Sequence, residues 1–193
     1  MKKTLLFLSM MIVIQSACAL DETPSENNNL QDARKLVKTF SKTLKHTLKK
    51  AIKEGGMANA IESCHLKAPD IASDLSAKSH WNVRRTSLKV RDLEDAPDKW
   101  ELSVLKRFEE QNKKDVDDEL MEFSEITTDK NGKKLFRYMK AIPTRKVCLR
   151  CHGEKIKSDV QKQLDSLFPF DQATGFTEDD LRGAFSLSKQ LSK

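Results

Sequence analysis

The order of local signals predicts an α+β domain, with a central antiparallel sheet flanked by helices and headed by a long N-terminal amphipathic helix. Three observations carry this. Apolar residues recur at helical spacing early in the chain, at Leu36, Val37, Phe40, Leu44, Leu48 and Ile52. A β-prone run at 81–91 and an alternating pair at 120–142 follow, the pair joined by an Asn131-Gly132 turn. Helical patterns fall between and after these strands, and no internal repeat interrupts the order.

The first residues read as an export signal. Lys2 and Lys3 form a charged start, Leu5 to Ile14 are apolar but too short to cross a bilayer, and Ala17-Cys18-Ala19 offers small residues for cleavage. Residues 1–19 are therefore expected to be removed and the product to be periplasmic or secreted, with no transmembrane helix after processing. Cys18 leaves a lesser alternative, a lipid anchor on an N-terminal cysteine. Without residues 1–19 the formal charge falls from +6 to +4. The basic balance suits an acidic redox partner, while the interspersed lysines and glutamates of an exported protein disfavour nucleic acid.

Residues 20–29, polar and containing three consecutive asparagines, are expected to be a flexible tether, with the domain proper at 30–193. The first helix carries dense lysines on one face, fits a surface helix or a homodimer contact, and stops at Gly55-Gly56. A second helix from Met57 turns Ala60, Ile61 and Cys64 inward. Ala68-Pro69 opens a third, with Ile71, Ala72 and Leu75 inward. The 81–91 strand follows. Asp95-Ala96-Pro97 starts a helix capped by Asp95, with Trp100, Leu102, Leu105 and Phe108 as its apolar positions. After the hairpin, Pro143 ends the second strand. Ile156, Val160, Leu164 and Leu167 mark a further helix, and 182–188 a closing strand.

The chemistry concentrates at Cys148-Leu149-Arg150-Cys151-His152-Gly153. The form C-x-x-C-H reads as a covalent attachment site for haem c: two thiols add to the vinyl groups, and the adjacent imidazole ligates the iron. A zinc site would need two more ligands at suitable spacing, which the sequence does not offer. A thiol–disulfide pair would leave His152 without a role. Cys64 is the one cysteine outside both the signal and the motif. It reads as a buried small residue, an intermolecular disulfide or a thiolate iron ligand.

Several segments together are similar to one family: Ala60-Ile61 with Cys64; Ala68-Pro69 with Ile71-Ala72; Trp81 with the run from Val83 to Arg91; and Ala96-Pro97 with Trp100-Glu101. Phe136 to Ile142, Cys148 to Gly153, Asp171 to Phe176 and Arg182 to Ser186 complete the set. The chain resembles the c-type haem domains with a PAS-like fold, found as stand-alone exported haemoproteins and as sensor regions of bacterial histidine kinases. It departs from them at Asp92-Leu93 and at Phe168-Pro169. The resemblance covers residues 35–190 and implies Cys64 as the sixth ligand opposite His152. Met57, Met139, His65 and His80 compete for that place, His65 being expected to point away from the face that carries Cys64. Arg84, Arg85, Arg137 and Arg182 are candidates to hold propionates, and Tyr138 is expected to pack.

These readings imply a monohaem electron carrier or redox sensor with a separate partner protein and no enzymatic activity. A diatomic-gas sensor is the alternative, and a thiol or peroxide enzyme a more distant one.

Overall fold

A computed structural model describes residues 24–114, 116–117 and 119–191, so the export signal and the start of the expected tether lie outside the described residues. Helix α1 spans Pro24–Ser79 and bends at Gly55 and Gly56, where Gly56 has φ +68°. A straight helix of 56 residues would run about 84 Å. Instead Ala33, Val37 and Phe40 of the first arm share one apolar cluster with Ile71, Ala72 and Leu75 of the second. The chain therefore folds back, and Asn59 Nδ2 donates to Ala51 O across the bend at 3.1 Å.

Two expectations are corrected here. The helix begins at Pro24, inside the stretch expected as a tether. Proline needs no hydrogen bond at a first helical position, and Asn29 is buried and accepts a hydrogen bond from Lys189 Nζ at 3.0 Å. No separate helix opens at Ala68-Pro69, because Pro69 lies within the second arm, next to fully buried Ala68.

The sheet comprises β1 (Asn82–Thr86), β2 (Glu122–Thr128), β3 (Lys134–Pro143) and β4 (Leu181–Gln190) in the order β1-β4-β3-β2, every pairing antiparallel. The register sets Val83 against Leu187 and Arg85 against Phe185. Strand alternation then divides the sheet into two faces. Val83, Phe136, Tyr138, Phe185 and Leu187 face α1; Met139, Ala141 and Ala184 face α2 (Lys99–Asn112) with Val104, Leu105 and Phe108.

Asp98 caps α2, not Asp95, which closes a 3-10 turn at Leu93–Asp95. A capping box decides this. Asp98 accepts from Glu101 N at 2.8 Å, and Glu101 accepts from Asp98 N at 2.9 Å. The strand expected to reach Arg91 stops at Thr86, where Ser87 Oγ donates to Arg182 O at 2.7 Å. In the hairpin, Asp129 Oδ1 accepts from Asn131 N and Lys133 N, and Gly132 takes φ +77°. Helices α3 (Leu149–His152) and α4 (Ser158–Leu167) follow, α4 packing with Ile61 of α1. Among the described residues no helix is long and apolar enough to cross a membrane.

Candidate functional site

The chain leaves β3 and is pinned at once, Thr144 N donating to Asp180 O and Asp179 N to Thr144 O, each at 2.8 Å. It then winds a single helical turn in which Cys151 N and His152 N both donate to Cys148 O, at 3.1 and 2.9 Å. Positions i, i+3 and i+4 of such a turn share a side, which groups Cys148, Cys151 and His152. Gly153 ends it for a steric reason: a Cβ there would lie 2.6 Å from Leu149 O.

Past Gly153 the backbone pairs with a distant loop. Gly175 N donates to Gly153 O at 3.1 Å and Phe176 N to His152 O at 2.9 Å. The loop is shaped by Asp171, whose Oδ1 accepts from Ala173 N at 2.7 Å. That places Ala173 O 2.7 Å from His152 Nδ1. A carbonyl can only accept, so Nδ1 carries the proton of the neutral ring and Nε2 keeps its lone pair. Burial pushes the His152 pKa well below its ordinary value, and the charges of Arg182, Arg91 and Arg85 push the same way against the Ala173 hydrogen bond. The ring is neutral, oriented and able to ligate a metal.

Arg91 ties the assembly together. Its Nε donates to Asp171 Oδ2 at 3.0 Å, its Nη2 to the carbonyls of Cys151 and Ala173, and its guanidinium lies 5.7 Å from the Phe168 ring centre. Arg182 donates to Ser87 Oγ at 3.1 Å and sits over Phe176, which meets His152 edge-on. Burial lowers the Arg182 pKa to about 10, helped by Arg91 and Arg85 and opposed by Asp95 and Asp171. Three partly buried arginines, Arg85, Arg91 and Arg182, thus surround the histidine with positive charge.

Cys64 reaches this neighbourhood from the second arm of α1. Its thiol is half-buried; burial raises its pKa, while Arg85 and Arg91 pull it down. Burial also raises the pKa of Cys151 against the pull of the Arg91 charge, and a thiolate at Cys64 would raise it further. Cys148 Sγ accepts from Arg145 N at 3.4 Å, and Cys64, Cys148 and Cys151 are all free.

The remaining candidates sort by position. Met139 is fully buried against α2, and His80 is exposed beyond the end of α1. Met57 packs beside Ile61 and Val160. His65, expected to point away, lies edge-on against Phe168 at 5.0 Å, its buried Nδ1 without a hydrogen-bond partner. Arg84 and Arg137 serve α2 instead: Arg84 donates to Glu101 at 3.1 Å and Arg137 to Asp98 at 2.7 Å. Tyr138 donates to Glu122 at 2.6 Å. Sequence reasoning passed over Arg91, Asp171 and Ala173 as site residues, although both motifs that contain them had been singled out.

Beside the motif a cleft of about 550 Å³ is lined by Met57, Lys146, Leu149, Arg150, Lys155, Lys157 and Val160. None of the four expected ligating or attaching residues lines it. Among the described residues, no group of three or more His, Cys, Asp or Glu side chains forms a metal site by itself.

No curated protein matches the chain. Among solved structures it is similar to the cyanobacterial heme-protein Tll0287, with a TM-score of 0.63 and 23% identity over 89% of this chain and 99% of that one. At that identity the likeness concerns the fold. The model of one family, described as Tll0287-like, matches residues 15–189, and the chain accordingly belongs to the Tll0287-like family.

Proposed function

We propose that this protein is an exported monohaem c-type protein of PAS-like architecture that carries electrons or senses redox state. One observation carries the reading. His152, next to the free Cys148–Cys151 pair, is neutral and held by Ala173 O so that Nε2 is unused. The naming of a similarly folded protein as a heme-protein supports it.

The residues present fit the cofactor. Cys148 and Cys151 would attach it and His152 Nε2 would be the fifth ligand. Arg85, Arg91 and Arg182 outnumber the neighbouring Asp95 and Asp171, so two propionates would relieve a crowd of partly buried cations. Cys64 would be the sixth ligand. Burial holds its thiol protonated, but Arg85 and Arg91 already favour the thiolate, and a ferric ion would complete the deprotonation. Bound there, haem supplies an iron that gains or loses one electron. The chain orients one imidazole, shields it from water and supplies the counter-charge.

The test is expression with a c-type maturation system. Haem should stay on the denatured polypeptide, with a c-type pyridine haemochrome. Cys64→Ala should raise the reduction potential and change the ferric spectrum, since thiolate favours the ferric state. A folded but colourless protein refutes the cofactor. An unaltered spectrum and potential in Cys64→Ala refute the sixth ligand alone.

A further inference from the structure

The cleft beside the C-x-x-C-H turn has a composition that the haem reading does not use. Its rim is Lys146, Arg150, Lys155 and Lys157, all exposed, and its floor is Met57, Leu149 and Val160. No carboxylate lines it. On the rim, Lys146 makes a solvent-exposed contact with Glu178 at 3.9 Å, which is worth little. Residues 143–157 hold five cations and one carboxylate.

Its position matters as much as its charge. Leu149 and Arg150 are the two residues between the attaching cysteines, and Met57 lies seven residues before Cys64 on the same helical face. Anything seated in the cleft therefore stands against the motif. The apolar floor would be covered on docking, and the cationic rim would select the approaching surface.

We infer that this cleft is the docking site for the carboxylate-bearing face of a protein electron-transfer partner. The inference rests on the haem reading above and names the partner class. On contact one electron passes, the donor losing it and the acceptor gaining it, with no bond made or broken. The lysines of the first arm of α1 are as dense, but Lys42 and Lys45 do not line the cleft.

The experiment uses the haem-loaded protein and stopped-flow oxidation by hexacyanoferrate(III), with hexaammineruthenium(III) as the cationic counterpart and poly-L-glutamate as a competing carboxylate surface. At low salt, Lys155→Glu with Lys157→Glu should slow the anionic reagent roughly tenfold, speed the cationic one and abolish inhibition by poly-L-glutamate. Lys42→Glu with Lys45→Glu, which changes net charge equally, should alter each by less than about twofold. Equal effects from the two double variants overturn the docking site, as does a rate indifferent to Lys155 and Lys157 in a protein with an intact haem spectrum. A wild-type protein that lacks haem overturns the parent reading instead.

Discussion

Replacing Asp171 tests how the candidate site holds itself together. The Arg91–Asp171 pair is 3.0 Å long, and its side chains are 13% and 6% exposed. Asp171→Asn keeps an oxygen to accept from Ala173 N but removes the counter-charge from Arg91, which already feels Arg85 and Arg182. Breaking a buried pair by removing one partner costs about 3–5 kcal/mol. At roughly 2–4 °C per kcal/mol for a domain of this size, Asp171→Asn should lower Tm by about 6–20 °C. Asp171→Ala should cost about 1 kcal/mol more, because it also frees the Ala173 N–H. Far-UV circular dichroism melts of parent and variants in the same ligation state measure both. Nitrogen-15 shifts of the His152 ring add a second readout: the protein without haem should show one tautomer in the parent and a mixture in Asp171→Ala. A Tm loss below about 2 °C for Asp171→Asn would refute the pair as a structural tie.

Two other expectations follow from contacts away from the motif. A Cβ on Gly183 would lie 2.4 Å from Thr86 O and 3.1 Å from Ser87 Cβ, so Gly183→Ala should push β1 from β4. A loss of about 1–3 kcal/mol in urea unfolding is expected, and an unchanged midpoint would contradict the close strand approach. Burial alone would raise the Glu122 pKa, but hydrogen bonds from Arg34 and Tyr138 outweigh it and the folded value lies below 4.5. As pH falls the unfolded chain takes up this proton first. The contribution is therefore present above about pH 4.5 and lost as pH drops through the folded pKa. Glu122→Gln should flatten that part of the stability profile; an identical acid limb would exclude the contribution.

What the sequence discloses depends on how local the deciding contact is. The hairpin was legible because Asp129, Asn131 and Gly132 make their own turn. The motif was legible because two thiols and an imidazole must be close in the chain to serve one cofactor. The cap of α2 was also readable, as Asp98-x-x-Glu101, although Pro97 equally suits the first turn of a helix opened by Asp95. Other contacts left no mark. The 81–91 strand stops early because a serine side chain takes a carbonyl from β4 that lies 95 residues away. Asn29 looks like part of a tether until Lys189, 160 residues on, is set beside it. The partner of His152 is a backbone carbonyl, and residue type says nothing about where a carbonyl points. The four candidate arginines were alike in sequence; strand alternation sent Arg84 and Arg137 to α2, while Arg85 turned to the opposite face.

The loop from Asp171 to Phe176 then explains why the site's separate properties occur together. Asp171 fixes Arg91 and caps Ala173. Ala173 O accepts the hydrogen bond from Nδ1–H and so leaves Nε2 free. Gly175 and Phe176 bond back to Gly153 and His152, which holds the motif at a fixed distance from the sheet. Phe176 carries Arg182 on its ring, bringing the third arginine to the same place. The histidine tautomer, the cationic surroundings and the placement of the motif thus share one cause. A substitution in this loop should disturb all three at once, whereas a change in the cysteines should leave the histidine's orientation intact.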